Sequence, residues 1–226
     1  MKIGIIGTGI VGRSHAEKLI SLNHNVMIGT RNVERTLAET KTDSMGNVPF
    51  SEWLKDNPTV QLGTFDEAAK FGVVVINALR GEVVLDAFAN LNKQNFDNKV
   101  LIDISNALDF SKGMPPTLLV RDGNSIGEQL QGILPKAKVV KTLNTITARL
   151  QINPLELANG DHHVFISGND TAGKKTAETI LKSYGWKYII DLGDITTARG
   201  TEMMMPMWLR LWGAVGKPMF NYKIIK

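Results

Sequence analysis

A glycine triplet at the start of the chain, Gly7-Thr8-Gly9-Ile10-Val11-Gly12, limits the possible folds more than any other feature. It follows directly on the strand-like run Lys2-Ile3-Gly4-Ile5-Ile6. It precedes Val11–Leu22, where apolar residues at 16, 19, 20 and 22 have helical spacing. Between a buried strand and an amphipathic helix, Gly-x-Gly-x-x-Gly has a defined mechanical role. Gly7 permits a tight turn, Gly9 lets the backbone approach a pyrophosphate, and Gly12 lets the helix pack on the strand. The anion then meets the unpaired N–H groups of the helix N-terminus. The pattern predicts dinucleotide binding, and the competing reading is a glycine turn used only as scaffold.

The rest of the chain continues in the same rhythm. β-Branched runs at Lys2–Gly7, Asn25–Gly29, Val60–Gly63, Val73–Asn77, Lys99–Ile104, Lys138–Leu143, His163–Ser167 and Lys187–Asp191 alternate with helical segments such as Val11–Leu22 and Thr171–Tyr184. Runs such as Val73-Val74-Val75-Ile76 are apolar at every position, as a strand covered on both faces requires. The expected fold is α/β: a Rossmann-type, doubly wound, mostly parallel sheet with a small C-terminal α/β extension. A boundary is expected near residue 150, where the sixth strand ends and Asn153-Pro154 follows. Residues 1–150 then form the nucleotide-binding domain, and 151–226 a small C-terminal portion. Two stretches break the rhythm. Lys41–Pro58 reads as a loop insertion with a short helix around Trp53, and Asp109–Asn124, rich in Gly and Pro, reads as irregular chain that could cover a ligand.

Composition excludes several functions. The chain has no cysteine, so it can form neither a disulfide framework nor a cysteine-ligated metal site, nor offer a thiolate nucleophile. The net charge is +4, and it is evenly spread. Residues 1–150 hold 17 Lys and Arg against 15 Asp and Glu, and residues 151–226 hold 9 against 7. No basic stripe exists for nucleic acid. The stretch Met203–Val215 is interrupted by Arg210 and falls short of the roughly 20 residues a spanning helix needs. No charged-then-apolar leader precedes the first strand, and the expectation is a cytoplasmic protein that binds neither membrane nor nucleic acid.

The end of the second strand discriminates between the nicotinamide cofactors because it faces the adenosine ribose. It reads Ile28-Gly29-Thr30-Arg31-Asn32, without the carboxylate that bonds a ribose 2′-hydroxyl. Thr30 offers a hydroxyl and Arg31 a fork of donors suited to phosphate. Arg35 adds a second cation about one helical turn on. These residues, with Asn32 beside them, predict NADP(H); the competing reading makes both arginines solvated helix-start residues.

Other strand ends are expected to line the same crevice: Asn77-Ala78-Leu79-Arg80, Asp103-Ile104-Ser105-Asn106 and Thr142-Leu143-Asn144-Thr145. Each asparagine could equally be a turn-former. Acid–base machinery is sparse. His162-His163 reads as a surface turn, since neighbours in a strand point to opposite faces and cannot share a metal, and His15 reads as exposed. No metal site and no catalytic side chain is assigned; direct hydride transfer between two bound molecules needs only positioning. The segment Ala198–Trp212 concentrates Met and Trp. Met207 and Trp208 are candidates for a wall against a flat ring, and core or dimer packing is the alternative.

Taken together, Gly7-x-Gly9-x-x-Gly12, Thr30-Arg31-Asn32, Lys141-Thr142-Leu143-Asn144-Thr145, Val164-Phe165-Ile166-Ser167-Gly168-Asn169-Asp170, and Gly193-Asp194 followed by Ala198-Arg199 and Glu202 give the chain its resemblance. It resembles the NADPH-dependent reductases of the deazaflavin coenzyme F-420 over most of its length. The resemblance implies a homodimer that passes hydride directly between NADP(H) and the deazaflavin. Thr8, Gly9, Ile10, Val11, Thr30, Arg31 and Arg35 would hold NADP, and Asn77, Ala78 and Asn144 would flank the nicotinamide. The module is also similar to the cytosolic domain of transmembrane ferric reductases, which pair NADPH with a flavin, so a flavin or quinone-like acceptor remains open. Two other functions compete: an NADP(H)-binding sensor without turnover, and a β-hydroxyacid dehydrogenase. The 76 residues after 150 are too few for the latter's usual helical domain.

Overall fold

The computed structural model describes residues 1–43, 46–120 and 123–226; Ser44 and Met45 of the expected insertion, and Arg121 and Asp122 of the Gly- and Pro-rich stretch, lie outside the described residues. The chain opens with β1 (Lys2–Ile6), α1 (Ile10–Ser21) and β2 (Asn25–Thr30), followed by α2 (Val33–Ala38), α3 (Phe50–Asp56) and β3 (Gln61–Thr64). It continues through α4 (Phe65–Phe71), β4 (Val74–Asn77), α5 (Gly81–Ala89) and β5 (Val100–Asp103). A two-residue ribbon of β6 (Leu108–Asp109) and β7 (Thr117–Leu118) comes next, then α6 (Ile126–Ile133) and β8 (Lys138–Thr142). The last elements are α7 (Ala148–Ile152), β9 (His163–Ser167), α8 (Thr171–Tyr184), β10 (Tyr188–Asp191) and α9 (Ala198–Val215).

Eight strands form one sheet in the order β10-β9-β8-β5-β4-β1-β2-β3. Every pairing is parallel except β8 with β9, where Lys141 stands opposite Ser167. The chain runs outward from β1 through β2 to β3, then returns to the other side of β1 to lay down β4 and β5. The order therefore reverses between β1 and β4, and the crevice at their carboxyl ends is where such sheets bind ligands. β9 and β10, beyond the boundary expected near residue 150, extend the same sheet.

The all-apolar strands are covered on both faces. Ile76, Ile102 and Val140 pack into one core with Ile5, Leu19 and Ile180, whereas their neighbours Val75, Leu101 and Val139 pack into the other with Phe88, Ile126 and Leu130. Successive residues of a strand point to opposite faces, so an uninterrupted apolar run needs a helical layer on each side. A smaller cluster of Leu108, Met205 and Trp208 seats α9 against β6. Among the described residues, no helix is long and apolar enough to cross a membrane.

The expected insertion has a packing role. Arg13 of α1 donates from Nε to the Thr8 carbonyl at 2.9 Å and from Nη1 to the Val48 carbonyl at 2.6 Å, and its guanidinium lies over the rings of Phe50 and Trp53. Trp53 in turn donates to Glu17. The short helix α3 thus braces the first turn of α1, where the glycine motif sits.

Candidate functional site

The three glycines face three different surroundings. Gly7 has φ +124°, a conformation that side chains rarely adopt, and a Cβ there would approach the Ala78 carbonyl oxygen to 2.9 Å. A Cβ on Gly12 would lie 2.2 Å from the Gly7 carbonyl oxygen, which no repacking relieves. At Gly9, by contrast, a Cβ would meet nothing within 4 Å. Gly7 and Gly12 are therefore required by the protein's own backbone, while Gly9 borders open space. Gly9 is also the N-cap of α1, with no side chain capping it, and the first bond back into the helix is Arg13 N–H to the Gly9 carbonyl at 3.0 Å. The N–H groups of Ile10, Val11 and Gly12 consequently have no carbonyl of their own helix to bond. This is a cradle suited to a phosphate group.

At the end of β2, Thr30 is buried and Asn32 caps α2 by accepting the Arg35 N–H at 2.8 Å. The Thr36 hydroxyl donates to the Asn32 carbonyl at 2.9 Å, so at the 2.7 Å contact between Thr30 and Thr36 it is Thr30 that donates. Arg31 and Arg35 are exposed and, among the described residues, form no ion pair. Two uncommitted cations thus flank the strand end.

Between the ends of β1, β4 and β5 lies a cavity of about 200 Å³. Val11, Ala78, Leu79, Ser105, Asn106 and Phe110 contribute to its lining. Asn77 is fully buried behind it; its Nδ2 donates to Asp103 Oδ1 at 2.8 Å and its Oδ1 accepts the Leu79 N–H at 3.2 Å. Asn144 donates to the Thr201 carbonyl of α9 at 2.9 Å and to Asn106 Oδ1 at 3.3 Å. Behind these residues stands Lys141, with no exposed side-chain surface, its Nζ 2.8 Å from Asp103 Oδ2 and 2.9 Å from Glu202 Oε1. Burial works against this ammonium, but the two carboxylates outweigh it and hold Lys141 above the ordinary lysine range.

Against known proteins, residues 2–107 match the family model described as NADP oxidoreductase, coenzyme F420-dependent. A solved structure from Arthrobacter sp. FB24, described as a candidate F420-dependent NADP reductase, is 50% identical over 100% of both chains, with a TM-score of 0.95. The chain belongs to this family. It is an NADP-dependent oxidoreductase. The oxidoreductase is also 28% identical over 213 residues to the rat metalloreductase STEAP3, a match that covers 92% of this chain and 38% of that relative's length. Pyrroline carboxylate reductase of Plasmodium falciparum, solved with NADP bound, is 15% identical over 95% of this chain and 67% of that one, with a TM-score of 0.56; this is a likeness of fold alone.

Within the oxidoreductase, Gly7 to Gly12, Ala78, Leu79, Ser105 and Asn106 come together around the crevice, with Asn77 and Asn144 directly behind it. Thr30, Arg31, Asn32 and Arg35 form a second group at the end of β2, next to β1 in the sheet. Met207 and Trp208 stand elsewhere: Met207 is exposed on α9, and Trp208 is buried against Leu108, Met205 and the ring of Phe220, so neither lines the crevice. Two histidine readings need correction. His15, expected to be exposed, is buried between Tyr184 and Gln151. His162, expected in a surface turn, is buried too: its Nδ1 accepts from Asn221 Nδ2 at 2.8 Å, which leaves Nε2 to donate to the Pro154 carbonyl at 2.9 Å. Both partners of His15, and Asn221 among the partners of His162, are brought from far along the chain, which a local reading does not register. The role of Lys141 as the centre of a buried charge cluster was also missed, although one signal was present in the sequence: a lysine directly after Val139-Val140 inside an expected strand; its register partner Asp103 is seen only in the fold.

Proposed function

We propose that the oxidoreductase holds the NADP(H) pyrophosphate on Gly9 and the first N–H groups of α1, with Thr8, Ile10 and Val11 around it. The 2′-phosphate would meet Thr30, Arg31 and Arg35, and Asn77, Ala78 and Asn144 would flank the nicotinamide. The observation that carries this reading is the contrast within the glycine turn. Two glycines are demanded by backbone contacts and the third opens onto free space, with the free N–H groups of the first turn of α1 beside it and two arginines at the next strand end that form no ion pair among the described residues. A site selective for NAD would place a carboxylate there instead.

When bound, the nicotinamide supplies or takes up the hydride. The second molecule would be flat and redox-active, seated in the cavity beside Leu79, Asn106 and Phe110; the deazaflavin of the family's description has first claim, followed by a flavin or a quinone-like acceptor. The protein contributes position and exclusion of water, which direct hydride transfer chiefly requires.

The test is an equilibrium titration of the purified protein with NADPH and with NADH, followed by NADPH consumption in the presence of deazaflavin, flavin and quinone acceptors. NADPH is expected to bind at least about tenfold more tightly than NADH, the size of one lost charge-assisted interaction. Equal affinities would refute the placement of the 2′-phosphate. Selective binding without turnover on any acceptor would refute hydride transfer and leave an NADP(H) sensor.

A further inference from the structure

Three strand ends and two helices meet in one hydrogen-bonded network built around a single ammonium. Lys141, at the end of β8, directs its Nζ to Asp103 Oδ2 at 2.8 Å, Glu202 Oε1 at 2.9 Å and the Ser105 carbonyl at 2.7 Å. That satisfies all three of its N–H bonds. Asp103, at the end of β5, accepts through Oδ1 from Asn77 Nδ2 at 2.8 Å, from the Ser105 hydroxyl at 2.7 Å and from the Ser105 N–H at 3.1 Å. Glu202, from α9, also accepts the N–H groups of Ile126 and Gly127 in the first turn of α6, at 2.9 and 3.2 Å. The cluster therefore carries two carboxylates and one ammonium with essentially no solvent exposure, and the N-terminal end of α6 meets the excess negative charge.

Buried ion clusters are weak contributors to stability, and apolar side chains of similar volume often serve the fold as well. What this one does is impose directions. The ammonium takes Asp103 Oδ2, so Oδ1 is left to face Asn77. The Asn77 amide then has one end on Asp103 and the other on the Leu79 N–H, beside Ala78 and Leu79 in the crevice wall.

We infer that Lys141 is a positioning residue for the reaction centre: through Asp103 it sets the orientation of the Asn77 amide at the crevice wall, and through Glu202 it ties that setting to α9. This inference rests on the reading of the crevice as the nicotinamide site. Lys141 does not touch bound molecules itself. Its effect should fall on the nicotinamide half of the cofactor and leave the adenosine half alone, since Gly9, Arg31 and Arg35 lie outside the cluster.

The experiment compares Asp103→Asn and Glu202→Gln with the wild-type protein in equilibrium binding of NADPH and of adenosine 2′,5′-bisphosphate, which carries only the adenosine end. In Asp103→Asn the ammonium demands the amide oxygen. The new NH2 then turns toward Asn77 Nδ2, donor against donor, and Asn77 must give up one of its two bonds. NADPH is expected to weaken by about tenfold, with the bisphosphate changed by less than about twofold. Glu202→Gln removes one charge from Lys141; with the amide oxygen kept toward Lys141 and the Gly127 N–H, its NH2 faces the Ile126 N–H, which loses its acceptor, and a loss of about threefold with the same split is expected. Should Asp103→Asn fail to fold, Glu202→Gln decides by the same criterion. Equal losses of both ligands, or no loss of either, would overturn the inference while the wild-type cofactor reading stands. A wild-type protein that binds NADPH no better than the bisphosphate would overturn the crevice reading, and this inference with it.

Discussion

His15 gives a pH dependence whose size follows from its surroundings. Gln151 donates from Nε2 to the carbonyls of Leu143 and Ile146, both at 3.0 Å, so its Oε1 is the end that faces His15. At the 3.0 Å contact the imidazole Nε2 must therefore carry the hydrogen, and Nδ1 accepts from the Tyr184 hydroxyl at 3.1 Å. The ring is neutral. Burial lowers its pKa from 6.5 to about 4, with only partial opposition from Gln151. Because the folded value lies below the free one, the unfolded chain binds the proton first as the pH falls. The stability is fully present above about pH 6.5 and is lost progressively toward pH 4, for a total of about 3 kcal/mol. Urea unfolding of the wild-type protein and of His15→Gln at a series of pH values isolates this term, because the carboxylates titrate alike in both. The variant should start about 1–2 kcal/mol less stable at neutral pH from its altered hydrogen bonds. The gap should then close, and reverse, as the pH is lowered. A stability difference independent of pH, or an imidazole titrating near 6.5 in NMR, would refute the argument.

Other outcomes follow from the site. Arg31→Ala should weaken NADPH by about ten- to a hundredfold and leave NADH nearly unchanged, the expected loss of one hydrogen bond to a charged group; equal losses in paired titrations would remove Arg31 from the 2′-phosphate site. Gly9→Ala should unfold like the wild-type protein yet lose NADPH affinity, because its Cβ enters open space within the cradle. Gly12→Ala should instead lose several kcal/mol in thermal or chemical unfolding, about what overpacking against fixed backbone costs, since its Cβ falls 2.2 Å from the Gly7 carbonyl oxygen. Thr64→Ala removes the side-chain half of a reciprocal cap in which Glu67 also bonds the Thr64 N–H, and should cost about 1 kcal/mol in chemical denaturation without altering cofactor binding.

The local elements were legible because their signals are local. The glycine turn, the apolar strands and the helical spacing of α1 and α8 each depend on neighbours a few residues apart, and the observed bounds differ from the expected ones by a residue or so. The absence of a carboxylate after Ile28-Gly29 was equally plain. Positions that depend on distant partners were less so. His15 meets residues more than a hundred positions away, Glu202 caps a helix some 75 positions before it, and Phe50 and Trp53 brace a helix that begins at residue 10.

The sequence alone determined an α/β protein with a nucleotide turn at its first strand, because periodicity and glycine spacing constrain the backbone whatever surrounds it. Only the tertiary structure decided the strand order, the antiparallel entry of β9, the burial of His15 and His162, and the Lys141 cluster. The pairing of a buried polar group is settled by whichever segments the fold brings within about 3 Å of it, because a hydrogen bond is lost beyond that distance and an ion pair weakens as its charges separate. No pattern within one strand or helix records which segments those are.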